Sequence, residues 1–237
     1  KVLGQFDPFW SDGSDSAGRL LLVAPNVVHV ERELKVDPRD FRMWVCLHEE
    51  THRVQFTAVP WLRDHLRSEI ESFVGATEVD PAVLISRLRD VVRSVIESAQ
   101  GGQGGPSVLD LVQSPEQKVV VDRVTAVMSL LEGHADVVMD GVGPDVVPSV
   151  ATIREKFQRR RAGAGGLDRT LRRLLGLEAK MRQYRDGAKF VNGVVERVGM
   201  TGFNRVWESA ETLPGLDEIT DPVAWVRRVH GQAALPQ

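Results

Sequence analysis

The segment DPRDFRMWVCLHEETHRVQFTAVP, residues 37–60, predicts one long helix that carries two histidines on its buried face. Asp37 is suited to cap the helix, Pro38 is suited to its first position, and Pro60 supplies a stop. A single helical stripe contains Phe41, Trp44, Val45, His48, His52, Gln55 and Phe56. Both histidines therefore continue the apolar face instead of pointing towards solvent.

His48, Glu49 and His52 form an H-E-x-x-H pattern within this helix. Residues four apart lie one above the other on a helix, so the two imidazoles face one point. Glu49 lies beside that point but is angled away, where its carboxylate can hold a water molecule and act as general base. Two nitrogen ligands and a neighbouring carboxylate are what a hydrolytic Zn²⁺ site needs. The alternative is a pair of core histidines that bind no metal.

A third zinc ligand is expected from the segment SLLEGHAD, residues 129–136, on a second predicted helix. Glu132 and Asp136 share one side of that helix. We assign Glu132 to the metal and Asp136 to a hydrogen bond with the ring N–H of a ligating histidine. His134 competes with Glu132 for the ligand role, but it lies about 200° around the helix from it. The alternative to a metal site is that Glu132 and Asp136 simply form an exposed acidic helix face.

Three segments carry a resemblance to a known group of enzymes: HEETHRVQF, LEGHAD and FNRVWE, residues 48–56, 131–136 and 203–208. The first two resemble the zincin metallopeptidases whose third zinc ligand is a glutamate. All three are similar to a bacterial family of zincin-like hydrolases labelled as associated with biosynthesis of the deazaflavin coenzyme. The resemblance implies a zincin-like fold, zinc on His48, His52 and Glu132, and Glu49 as general base. In many such enzymes the third ligand follows the second histidine more closely, whereas here 80 residues separate His52 from Glu132.

The remaining patterns predict a mainly α-helical (α+β) chain with one small β-sheet. Further helices are expected to begin at Asp80-Pro81 and Asp221-Pro222. The clearest strand is RLLLVA, residues 19–24, with a partner near residues 27–30. An edge strand beside the metal would suit an extended peptide, although a core strand fits the pattern equally well. Gly133, inside a predicted helix, indicates that something approaches the backbone closely there.

The 237 residues are expected to form a single domain, 1–237. The segment GGQGGP, residues 101–106, predicts a flexible linker, because it lacks the lysine and hydroxyl residue of a phosphate-binding loop. Since predicted ligands lie on both sides of this linker, the two halves should form one cooperative unit.

The composition argues against several classes of protein. A net charge of −3 gives no reason to expect a nucleic-acid partner, and the basic stretch 154–173 contains almost no aromatic residues that could stack on bases. The chain has one cysteine, so it can form no intramolecular disulfide, and no apolar run is long enough to span a membrane. We therefore expect a cytoplasmic protein without a membrane partner. Position 1 is lysine, which is compatible with a missing N-terminal piece. The sequence does not define an oligomeric state.

The function expected from these residues is zinc-assisted hydrolysis of an amide bond, with peptides as the first substrate class. Tyr184 is the first candidate to stabilise the oxyanion opposite the metal and His134 is the second. The alternative is that Tyr184 and His134 have only structural roles. One alternative is a zinc-binding scaffold without catalysis, in which His134 becomes a fourth ligand if the helix breaks at Gly133. A metal-free helical interaction protein is the other alternative.

Overall fold

A computed structural model describes residues 2–11, 13, 18–75, 115–162 and 177–232. The described part of the chain is mainly helical and contains one two-stranded antiparallel sheet, which confirms the predicted fold class. The predicted linker at residues 101–106 and the predicted helix start at Asp80-Pro81 lie outside these residues. None of the described helices has the length and apolar character needed to cross a membrane.

The described elements follow one another in a simple order. They are β1 (Gly4–Asp7), β2 (Arg19–Leu22), α1 (Ala24–Leu34), α2 (Pro38–Ala58), α3 (Pro60–Gly75), α4 (Pro115–Gly141), α5 (Val150–Ala162), α6 (Leu177–Phe203), α7 (Leu216–Thr220) and α8 (Pro222–His230). Short 3₁₀ turns at Asn204–Trp207 and Ala210–Thr212 join α6 to α7.

The partner of the predicted strand is different from the one expected. β2 pairs with β1, which precedes it, in a register that places Gly4 opposite Leu22. Residues 27–30, the expected partner, belong instead to α1. The physical reason is that Pro25 lies in the first turn of a helix whose Val27 and Val30 are three residues apart and both buried. Helical burial of these valines outweighs their intrinsic preference for strands.

Helix α2 begins and ends where local chemistry predicts. The Asp37 side chain accepts a hydrogen bond from the backbone N–H of Asp40 at 3.0 Å, and Pro38 occupies the first turn. The helix ends at Ala58, directly before α3 begins at Pro60. The same chemistry recurs at α8, where Asp221 caps a helix that begins at Pro222, as predicted.

Helices α4 and α6 pack with their backbones in contact. A Cβ atom added to Gly133 would lie 2.1 Å from the carbonyl carbon of Gly187, and one added to Gly187 would lie 2.0 Å from the carbonyl oxygen of Ser129. The predicted close approach at Gly133 is therefore confirmed, and the approaching element is α6. Only residues without a side chain allow two helices to come this near.

The buried apolar residues form two clusters, and both α2 and α4 extend from one cluster to the other. Phe41 and Trp44 of α2 belong to one cluster, which also contains Met139 of α4. Leu130 of α4 belongs to the other, and Phe56 of α2 packs against it. Residues 48–52 and 132–136 therefore lie at the junction of the two clusters. Packing on both sides holds these two segments in place.

Candidate metal centre

The two histidines of the H-E-x-x-H pattern lie next to each other on α2. Their ring centroids are 4.8 Å apart and their ring planes differ by 86°. Trp44, one turn earlier, stacks on the ring of His48 at a centroid distance of 6.2 Å. The side chains of His48 and His52 are only 16% and 13% exposed. The helix thus presents two neighbouring imidazoles that have limited contact with water.

Glu132 of α4 reaches both histidines. Its Oε2 lies 3.8 Å from Nε2 of His48, and its Oε1 lies 3.6 Å from Nε2 of His52. One ligand atom from each of the three residues lies within 4.8 Å of the other two. Two ligands that each lie about 2.1 Å from a tetrahedral ion are roughly 3.4 Å apart, so these separations fit a shared ion. The three residues could therefore hold a metal.

Glu49 lies beside these three residues and is buried, with 7% of its surface exposed. Burial raises the pKa of the Glu49 carboxyl above its ordinary value. His52 acts in the opposite direction, and the Glu132 carboxylate raises the pKa further. A carboxyl with a raised pKa is better matched to proton transfer near neutral pH than an ordinary glutamate.

A cavity of about 410 Å³ opens onto these side chains. His48, Glu49, His52 and Glu132 are the titratable residues among those that line it. Apart from Gly4 and Gln5, the rest of the wall is apolar or aromatic. It consists of Val2, Leu3, Phe6, Trp44, Val45, Phe56, Met128, Leu131 and Phe157. The cavity therefore combines a small cluster of candidate metal ligands and titratable groups with a largely apolar surface.

Gln55 is a site residue for which the sequence analysis assigned no function. Its Oε1 lies 2.9 Å from Nδ1 of His52. Its Nε2 lies 2.9 Å from the backbone oxygen of Leu131 and 2.9 Å from Nδ1 of His134. The position of Gln55 on the buried stripe of α2 was a signal that the side chain faces inwards, but two of its three partners, the Leu131 carbonyl and His134, belong to α4 and are invisible in the local pattern.

His134 packs among aromatic residues and is not one of the residues that line the cavity. Its ring stacks on Phe203 at a centroid distance of 5.7 Å and meets Trp207 edge-on at 5.4 Å. Burial, followed by the nearby charge of His52, lowers the pKa of His134 to about 4. Of the two competing third ligands, the structure thus brings Glu132, not His134, to the histidine pair.

The roles predicted for two further residues, Asp136 and Tyr184, stay predictions. Asp136 is half-buried and lies one turn after Glu132 on α4. Because Gln55 already contacts Nδ1 of His52, the role of Asp136 as a histidine partner would concern His48. Tyr184 belongs to α6, but its side chain lies outside the part of the chain that the structure describes.

Comparisons with a family of known proteins and with solved structures each give a match. A family described as zincin-like metallopeptidases matches residues 1–226. A solved structure from Chloroflexus aurantiacus, provisionally described as a hydrolase with a novel fold, is 34% identical to the chain, with a TM-score of 0.64. The match covers 97% of this chain and 63% of that one, so the chain spans less than two thirds of the length of this relative. No curated protein matches the chain.

Proposed function

The chain belongs to the family of zincin-like metallopeptidases, and from this premise we propose that it is a zinc-dependent hydrolase that cleaves amide bonds in peptides. The observation that carries the proposal is the meeting of His48, His52 and Glu132 within 4.8 Å, with the buried Glu49 on the same cavity. The likeness to a Chloroflexus aurantiacus protein described as a hydrolase supports the same class of activity.

The donor set, taken together with the H-E-x-x-H pattern, fits a catalytic zinc ion. Two imidazole nitrogens and one carboxylate oxygen are ligands of catalytic zinc sites, in which a fourth position is left for water. When bound, zinc would lower the pKa of that water and polarise the scissile carbonyl. The apolar wall of the cavity would keep other water away and so strengthen these electrostatic effects.

Glu49 is the group that would transfer the proton. Its carboxylate would accept a proton from the attacking water and deliver it to the leaving amine. Its place on the same cavity as the three proposed ligands suits both steps, because a group that transfers a proton must lie within hydrogen-bond reach of the reacting atoms.

The cavity wall favours an apolar substrate residue next to the scissile bond. A charged side chain placed there would lose its hydration, and none of the lining residues is a lysine or an arginine. Residues 2–6, which include most of β1, run along the cavity. Within the described residues β1 pairs only with β2, so an extended substrate in the cavity would bind by adding to the other edge of β1.

A pair of matched substitutions tests the proposal. In zinc-loaded protein assayed against a peptide library, Glu49→Gln should abolish turnover and leave about one zinc per chain. Glu50→Gln is the control, since Glu50 forms an exposed ion pair with Arg53, and it should keep both zinc and turnover. Full activity in Glu49→Gln would show that another group transfers the proton, whereas zinc-loaded wild type that cleaves no peptide would favour the zinc-binding scaffold instead.

A further inference from the structure

We propose that Gln55 is a positioning residue that holds His52 in the tautomer needed to bind a metal, with His134 as the anchor of the Gln55 amide. The inference rests on the proposed zinc site and adds two residues that contact neither the metal nor the substrate. Its evidence is a chain of three hydrogen bonds, each 2.9 Å long, that runs from His52 through Gln55 to α4.

The orientation of the Gln55 amide follows from the Leu131 carbonyl. A backbone carbonyl can only accept a hydrogen bond, so the Gln55 atom that faces it must be the amide nitrogen, Nε2. If the amide were turned over, its oxygen would face the carbonyl oxygen at 2.9 Å, and two acceptors would repel each other. The carbonyl belongs to the residue directly before Glu132, so the helix that supplies the carboxylate ligand also orients the glutamine.

The orientation of the amide then determines where the His52 proton lies. Oε1 of Gln55 faces Nδ1 of His52, and an amide oxygen can only accept. In the neutral ring, Nδ1 must therefore carry the hydrogen and Nε2 must carry the lone pair. Nε2 is the atom that lies 3.6 Å from Glu132, on the side where the metal is proposed. Metal-bound histidines are commonly held by such a contact at the other ring nitrogen.

His134 supplies the remaining partner of the amide. The second N–H of Gln55 points to Nδ1 of His134, which accepts it as a neutral ring held between Phe203 and Trp207. Gln55 is only 4% exposed, and all three polar positions of its amide are therefore used within the protein. A buried amide with every position paired has one orientation, because any other leaves buried groups without partners.

Nitrogen NMR of the metal-free protein measures the tautomer of His52 directly. In wild type, the neutral His52 ring should carry its proton on Nδ1, and in Gln55→Leu this preference should disappear. Competition with a chelator for Zn²⁺ should then show binding weakened by about 10- to 100-fold in Gln55→Leu. Gln55→Glu keeps an oxygen towards His52 but turns a second oxygen towards the Leu131 carbonyl, so His52 should keep its proton on Nδ1 while thermal stability falls.

Gln117→Leu is the matched control. Gln117 is another buried glutamine, 6% exposed, on α4. It lies 15 residues before Glu132, or about 22 Å along the helix. It should change thermal stability as the loss of any buried amide does, while the tautomer of His52 and the Zn²⁺ affinity stay at their wild-type values.

Two results would overturn the proposal: a wild-type His52 that carries its proton on Nε2, or a Gln55→Leu protein that binds Zn²⁺ as tightly as wild type. If Gln55→Leu does not fold, the tautomers of His52 in wild type and in Gln55→Glu decide the question. If wild type binds no Zn²⁺, the proposed function fails, and the NMR comparison alone decides whether Gln55 positions His52.

Discussion

Gly4 of β1 lies against the carboxylate of Glu49 on α2: a Cβ atom at Gly4 would lie 2.5 Å from Cγ and 2.7 Å from Oε1 of Glu49. The strand that borders the cavity thus also limits where the proposed general base can lie. Any larger residue at position 4 would occupy the space of that carboxylate. Because the neighbouring atoms all belong to one side chain, the conflict can be relieved by moving Glu49 without unfolding the protein.

Gly4→Ala should therefore lower activity far more than stability. A displacement of about 1 Å in a catalytic group can cost about 100-fold in rate, so we expect a fall in kcat of that order while zinc content stays unchanged. Activity assays and metal analysis of the purified variant check this. Gly143→Ala is the control, because a Cβ atom at Gly143 meets nothing within 4 Å. Wild-type kcat in Gly4→Ala would show that Glu49 is not the base or is not held by β1.

The contact between Gly133 and Gly187 predicts that a substitution there lowers stability directly. Here an added methyl group meets backbone atoms at about 2 Å, so α4 and α6 must separate. Gly133→Ala should destabilise the protein by at least about 2 kcal/mol in urea unfolding, even though alanine favours helices by about 1 kcal/mol. Gly141→Ala, on the same helix with open space around it, should be neutral or slightly stabilising. Equal stabilities for the two variants would contradict the packing of α4 against α6.

Local chemistry explains why α2 could be predicted from the sequence. Asp37 and Pro60 act on residues next to them, so the helix ends depend on short segments alone. The spacing of His48 and His52 likewise specifies neighbouring rings once the helix is established. The meeting of Glu132 with these rings depends on tertiary packing. The helix face that Glu132 shares with Asp136 singled out this glutamate, and the resemblance to a known family implied the same ligand, but no local pattern specified its distance from the histidines.

The features that the sequence did not predict are contacts between residues that lie far apart in the chain. The partner of β2 lies upstream, and no local pattern distinguished it from the valines at residues 27–30, which became helical. Gln55 was expected on the buried face of α2, but two of its three hydrogen bonds are made with a carbonyl and a histidine 76 and 79 residues away. Such contacts exist only after α2 and α4 have packed together.

Metal binding should stabilise the fold, because the three proposed ligands come from two helices that are distant in sequence. With free Zn²⁺ at about 100 times Kd, the gain is about 2.7 kcal/mol, which corresponds to a rise in Tm of about 5–10 °C for a chain of this size. Thermal unfolding with zinc and with chelator measures it. His48→Ala and Glu132→Ala should lose the shift, and Asp122→Asn, an exposed acidic residue on α4, should keep it.

The Glu132 variant also decides between the two third ligands considered. A zinc shift that survives in Glu132→Ala but disappears in His48→Ala would move the third ligand elsewhere, with His134 the first candidate. A wild-type protein whose Tm is the same in zinc and in chelator would instead speak against any metal at this site and for the metal-free interaction protein.

The ion pair between Glu31 of α1 and Arg42 of α2 should make stability depend on pH. Arg42 donates two hydrogen bonds, of 2.9 and 2.7 Å, to the buried carboxylate of Glu31. The hydrogen bonding from Arg42 lowers the pKa of Glu31 below its ordinary value, although burial opposes this. A carboxyl whose pKa is lower in the folded than in the unfolded state stabilises the fold above its unfolded pKa. That contribution is lost as the pH falls through the folded pKa.

Glu31→Gln should therefore be less stable than wild type at pH 7, and the difference in Tm should shrink steadily below about pH 4.5. Thermal unfolding of both proteins between pH 3 and pH 7 measures this difference. Glu50→Gln is the comparison, because its partner Arg53 is exposed and exposed pairs contribute little to stability. A difference for Glu31→Gln that stays constant down to pH 3 would mean that the side chain contributes packing and not charge, since only the charge disappears on protonation.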